Sequence, residues 1–110
     1  MKISVYQAPS GRSPIEEYIL GLSKVDQSKF YDVYQDIKKF GLNCPGVIFK
    51  HLEGKLWEIK FSSEGGRYRI AYVLIDREWM YWLHVFRKST QKTLKNDLEL
   101  ALKRMKEVQS

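Results

Sequence analysis

Apolar positions change their spacing twice along the chain, from a brief alternation to a helical period and then back to alternation. Lys2 to Tyr6 alternates, with Ile3 and Val5 on one side, and predicts a short strand. Ser13-Pro14-Ile15-Glu16 then supplies an N-cap, a proline at the first helical position and a capping-box glutamate, and Ile15, Tyr18, Ile19 and Leu22 make one stripe. Gly21 to Ser23 breaks that pattern. Phe30, Val33, Tyr34 and Ile37 line a second helix expected to stop near Gly41, so the two helices form a hairpin.

After Pro45-Gly46 the period is two as far as Arg87-Lys88. Strands are expected at Val47 to Leu52, Leu56 to Phe61, Arg67 to Leu74 and Trp79 to Lys88, with turns at Glu53-Gly54-Lys55, Glu64-Gly65-Gly66 and Asp76-Arg77-Glu78. Thr93 can cap a last helix carrying Leu94, Leu98, Ala101, Met105 and Val108 on one side. The expected class is α+β: an N-terminal strand and helical hairpin, a twisted and mainly antiparallel sheet with helices on one face, and a C-terminal helix, all in a single domain over residues 1–110.

That arrangement leaves the other face of the sheet open. Trp57, Ile59 and Phe61 share a face that Glu58 and Lys60 do not; Tyr68, Ile70, Tyr72 and Leu74 are opposed by Arg67, Arg69 and Ala71; Leu83 and Val85 alternate with Trp82, His84, Phe86 and Lys88. The open face is therefore expected to carry Glu58, Lys60, Arg67, Arg69, His84, Phe86 and Lys88, more basic groups beside an aromatic than a solvated sheet needs.

Composition narrows the partners. The formal net charge is +6, and of the 19 Lys/Arg residues 13 lie from Lys50 onward, where they face 8 acidic residues. A polyanion or an acidic protein is the expected partner of that half, although solubility alone also favours such a balance. No apolar run reaches the length of a membrane span, and Met1-Lys2-Ile3-Ser4 begins no signal peptide, so a cytoplasmic protein without a membrane role is expected. One cysteine, Cys44, and two histidines far apart in sequence, His51 and His84, offer neither a disulfide nor metal-ligand spacing; no metal and no cofactor is expected.

If the three main strands are neighbours, Arg69, Lys88, Glu58 and Lys60 converge on one patch that suits a phosphodiester. Cutting RNA without a metal needs a base for the 2′-hydroxyl, stabilisation of charge on the phosphate oxygens and an acid for the leaving 5′-oxygen. A guanidinium forks onto two oxygens, which suits Arg69, while His84, Glu58 or a lysine of depressed pKa can move protons. Lys50, Lys60, Arg67, Arg87, Lys92 and Lys95 would follow the RNA backbone, and Phe86 would stack on an unpaired base. Each reading has a structural rival: Arg69 as a cross-strand partner of Glu58, His84 as a hydrogen-bonded half-buried histidine, Phe86 as core, and the basic run as solvated surface.

The segments Leu56-Trp57-Glu58-Ile59-Lys60-Phe61, Tyr68-Arg69-Ile70-Ala71-Tyr72, Leu83 through Thr93 and Leu98-Glu99-Leu100-Ala101 follow in order a pattern that resembles the phage-derived, HigB-like branch of the RelE toxin superfamily. The resemblance implies a RelE-like fold, growth arrest through ribosome-dependent, metal-independent cleavage of mRNA, and neutralisation in a hetero-oligomeric complex with a co-encoded antitoxin, typically a helix-turn-helix DNA-binding protein. It also implies phosphate handling by a central-strand arginine and a basic residue ending the next strand, matched here by Arg69 and Lys88. Some members add a tyrosine or histidine near the last helix. None follows Lys88 here, which leaves His84 first, Glu58 second and Lys92 third for proton transfer. The competing readings are a noncatalytic basic RNA- or ribosome-binding module and a basic face that only holds an acidic partner.

Overall fold

Among the described residues five strands and three helices follow one another as β1 (Lys2–Val5), α1 (Pro14–Leu20), α2 (Lys24–Phe40), a 3-10 turn (Gly41–Asn43), β2 (Ile48–Glu53), β3 (Leu56–Ser63), β4 (Gly66–Asp76), β5 (Trp79–Lys88) and α3 (Lys95–Gln109). The computed structural model describes residues 1–88 and 93–109. One sheet has the order β1-β5-β4-β3-β2; β2 to β5 form an antiparallel meander, and β1 joins β5 in parallel at the far edge. The class is α+β, as the periodicity predicts.

Most local signals act where they stand in the sequence, but the expected capping box does not form, since the Ser13 side chain makes no capping hydrogen bond at the start of α1. Pro14 opens α1, and Ser23 caps α2 by accepting the Asp26 N–H at 3.2 Å. Gly41 ends α2 at φ 62, a left-handed backbone that favours glycine. The stripe Phe30, Val33 and Ile37 packs on Ile59, Tyr68, Ile70 and Trp82, so the helical pair covers one face with the main core.

The last helix departs from the expectation that helices share one face. α3 crosses the opposite side, where Ala101 packs with Leu56, Ala71, Val73 and Leu83, flanked by Leu98, Leu102 and Met105. The reason is that the side of the sheet away from α1 and α2 is apolar at one end and needs its own cover. Only the other end of that side is left for the basic residues.

A β-bulge makes a second difference. Ala71 pairs with His84 while Tyr72 pairs with Trp82, so Leu83 is an extra residue in β5. Trp82 consequently joins the core of α1 and α2, and Leu83 joins His84 on the side of α3. Trp82 does not share a face with His84, Phe86 and Lys88. Among the described residues no helix is long and apolar enough to cross a membrane.

One buried carboxylate ties α2 to the turn between β3 and β4. Asp26 accepts from Ser63 Oγ at 2.6 Å, from the Gly65 N–H at 3.0 Å and from the Tyr68 hydroxyl. A Cβ at position 65 would run into Asp26 Oδ2, so any other residue there has to displace the carboxylate. The donated hydrogen bonds from Ser63 and Tyr68, and then that from Gly65, hold the Asp26 carboxyl below the usual carboxylate range. Its folded-state pKa lies below the unfolded value of about 3.9, so its stabilisation is complete above that pH and is lost as pH falls through the folded pKa. Asp26→Asn is therefore expected to melt at lower temperature than the parent at neutral pH, and the gap should narrow as pH falls below the unfolded value of about 3.9. Circular dichroism melts across that range test this; a gap independent of pH would exclude the carboxylate charge as the cause.

Candidate active site

Cross-strand register assembles the basic end of the sheet in rows. Arg67 pairs with Lys88; in the next row Ile48, Lys60, Arg69 and Phe86 stand side by side; in the third come Lys50, Glu58, Ala71 and His84. Directly paired residues point the same way, so Lys50, Glu58, Lys60, Arg67, Arg69, His84, Phe86 and Lys88 share a face, the one opposite α1 and α2. Ile48, Lys60, Phe61, Ser62, Arg67 and Arg69 line a cavity of about 200 Å³ beside it.

Three of these residues are not open as the sequence leads one to expect. Glu58 is fully buried, and Arg69 and Lys88 keep only 6% and 7% of their surface exposed. Alternation sets the face a side chain takes, not whether anything lies above it, and Thr93, just ahead of α3, reaches Glu58 on this face. Glu58 Oε1 lies 3.6 Å from Arg69 Nε and 4.0 Å from Lys88 Nζ, and Glu58 Oε2 accepts from Thr93 Oγ1 at 3.0 Å. Arg69 Nη1 also donates to the Tyr68 carbonyl at 3.0 Å. Thr93 thus serves the carboxylate from two residues ahead of α3, although its place in the sequence reads as that of a helix cap.

Two buried cations lie beside one carboxylate at distances longer than a hydrogen bond, and among the described residues neither Arg69 Nε nor Glu58 Oε1 has a hydrogen-bond partner. Burial lowers the Arg69 pKa; Glu58 opposes this and Arg67 adds to it. Burial likewise holds the Lys88 ammonium below the ordinary lysine range, with Glu58 opposing and Arg69, Lys50 and Lys60 reinforcing the effect. A second anion placed between Arg69 and Lys88 would relieve both. Two cations beside one carboxylate can receive an oxyanion, and a lysine of depressed pKa is a better proton donor than an ordinary one.

The remaining candidates separate. Lys50 and Arg67 are exposed, and Lys60 is half-buried beside Arg69. Phe86 is buried, with 6% of its surface exposed and its ring stacked on His84 at 5.2 Å, so it is not the open platform expected for a base. His84 Nε2 bonds Asp97 Oδ1 in the first turn of α3 at 2.8 Å. Burial pushes the imidazole below the ordinary histidine range against the pull of Asp97, so it is neutral at pH 7.

Arg87 does not belong to this face: it pairs with Tyr68, and its guanidinium donates to the Tyr68 hydroxyl at 3.0 Å on the side of α1 and α2. Alternation with Phe86 and Lys88 requires that. Lys95 is exposed on α3 and pairs with Glu99 at 3.8 Å. Lys92 lies outside the described residues. Sequence reasoning passes over Thr93 and Asp97 as contributors to the site, because a threonine and an acid at a helix start have an ordinary explanation as cap and dipole partner.

A family model described as phage-derived protein Gp49-like (DUF891) matches residues 17–106, more than half of the chain. The chain belongs to this family. The Gp49-like proteins are a RelE/HigB-like toxin family, associated with toxin–antitoxin systems. The matched span runs from α1 into α3 and so contains every residue of the buried cluster. No curated protein matches the chain.

Proposed function

We propose that this Gp49-like protein is a ribosome-dependent, metal-independent endoribonuclease of the HigB-like type, a toxin that cuts mRNA and arrests growth. The observation that carries this reading is the Arg69–Lys88–Glu58 cluster, two buried cations on one carboxylate with Lys50, Lys60 and Arg67 around it. Burying cations is costly, and a sheet surface that needed only to be stable would turn them outward.

In the proposed reaction the scissile phosphate enters between Arg69 and Lys88. The Arg69 guanidinium forks onto its non-bridging oxygens. Glu58, whose Oε1 lies beside both cations, takes the proton of the 2′-hydroxyl. The 2′-oxygen bonds to phosphorus, the bond to the 5′-oxygen breaks, and Lys88 protonates the leaving oxygen. A 2′,3′-cyclic phosphate and a 5′-hydroxyl end result. His84 is displaced from the base role that its sequence position proposed for it, because its Nε2 is engaged by Asp97. Lys50, Lys60 and Arg67 guide the RNA backbone. The proposed partner is a co-encoded antitoxin, a helix-turn-helix DNA-binding protein that holds the toxin inactive in a hetero-oligomer in the cytoplasm.

A noncatalytic RNA- or ribosome-binding module is the second reading, favoured by the ion pair that Arg69 already makes with buried Glu58. The deciding experiment adds the purified chain to ribosomes programmed with mRNA and maps new ends. Discrete cuts with 5′-hydroxyl ends, together with growth arrest on expression without the antitoxin, are expected. Binding that weakens steeply with salt but produces no cut would establish the second reading instead.

A further inference from the structure

The two oxygens of Glu58 have different duties. Oε1 faces Arg69 Nε at 3.6 Å and Lys88 Nζ at 4.0 Å, whereas Oε2 accepts the Thr93 hydroxyl at 3.0 Å. The last torsion of a glutamate is broad, so the carboxylate plane is set by whatever its oxygens bond. On the sheet its paired neighbours are Lys50 and Ala71, and the methyl of Ala71 has no group to offer it. We propose that Thr93 is a positioning residue for cleavage, its hydroxyl fixing the Glu58 carboxylate so that Oε1 is presented to Arg69 and Lys88.

This inference rests on the ribonuclease reading above and adds a residue to it. The hydroxyl is delivered from a firm support. Thr93 stands two residues ahead of α3, and α3 is pinned to the same side of the sheet by the His84–Asp97 contact at 2.8 Å and by Arg104 Nη1 donating to the Leu83 carbonyl at 3.0 Å. Without the hydroxyl the carboxylate is free to turn, and Arg69 and Lys88 lose a common reference. Exposed Lys50 and Arg67 still attract RNA, so ground-state binding survives. The loss falls on the step that needs both cations at fixed places.

Thr93→Val keeps the size and branching of the side chain and removes the hydroxyl; Thr93→Ser keeps the hydroxyl. In the full-length chain acting on programmed ribosomes, the valine variant is expected to lose about tenfold or more in kcat, the scale of one hydrogen bond to a charged group. KM should stay within about twofold and serine should recover most of the rate. The second readout needs no cleavage: the NMR signal of the Arg69 Nε–H should shift or broaden in Thr93→Val and return in Thr93→Ser. If the valine variant does not fold by circular dichroism, Thr93→Ala takes its place in both measurements.

Parent-like kcat with an unmoved Arg69 signal overturns the inference, and so does a serine variant as slow as the valine one. If the parent protein cuts no mRNA at all, the ribonuclease reading fails on its own. The Arg69 signal then decides the positioning claim, which an unmoved signal refutes.

Discussion

Arg69→Ala is expected to slow mRNA cleavage on programmed ribosomes by about a hundredfold or more, the scale of one missing preorganised donor to transition-state charge. Its place in β4 is secured by pairing with Lys60 on one side and Phe86 on the other, so no neighbouring strand residue can move into its position. Lysine at that site should rescue only partly, since it restores charge without the planar fork. Lys88→Ala should act in the same direction, and because both cations serve one phosphate the double variant should lose less than the product of the single losses. Arg69 is buried against Glu58, so the alanine variant should also melt earlier than the parent, while Lys88 remains as a counter-charge and keeps it folded. Rates must therefore be compared well below the melting temperature, with circular dichroism as the check. A folded Arg69→Ala protein that cuts at the parental rate would reduce the Glu58–Arg69 pair to a structural one.

The course of the sheet is legible because its signals are local. Tyr68, Ile70 and Tyr72 against Arg67, Arg69 and Ala71 state which side of β4 meets the helices, and the pairing of Arg69 with Lys60 and Phe86 obeys that division. The bulge at Leu83 is not legible, since one extra apolar residue within Tyr81-Trp82-Leu83 leaves the run looking like an ordinary buried strand. Nor does the stripe Leu98, Ala101, Met105 say which side of the sheet it covers; it says only that the helix has a face to bury.

Burial of the site was hidden for a related reason. Sequence shows charges, and charges are read as surface, whereas Glu58, Arg69 and Lys88 can be covered only because they meet one another across strands. That meeting depends on register and on a side chain brought by the segment ahead of α3. Asp26 was concealed in the same way, as an unremarkable acid in the first turn of a helix whose partners lie in a turn some forty residues further on.

Glu58→Gln tests that account at its centre. The substitution keeps size and shape and removes the charge, so Arg69 and Lys88, both almost wholly buried, lose the carboxylate they share. Breaking a buried pair by removing one partner costs about 3–5 kcal/mol, which for a chain of this size corresponds to a fall in Tm of about 10 °C or more. Cleavage should fall as well, since the proposed proton acceptor is gone and the cations repel each other out of place. The diagnostic part is the response to an oxyanion. If the cluster is a phosphate pocket holding its own carboxylate, inorganic phosphate should raise the Tm of Glu58→Gln by more than that of the parent, because the anion fills a role the parent already has filled. Melting curves of both proteins in rising phosphate, matched for ionic strength with chloride, make the comparison. An equal response would mean that phosphate acts on the exposed lysines and arginines alone, and a Glu58→Gln protein as stable as the parent would mean that the carboxylate does not hold the two cations.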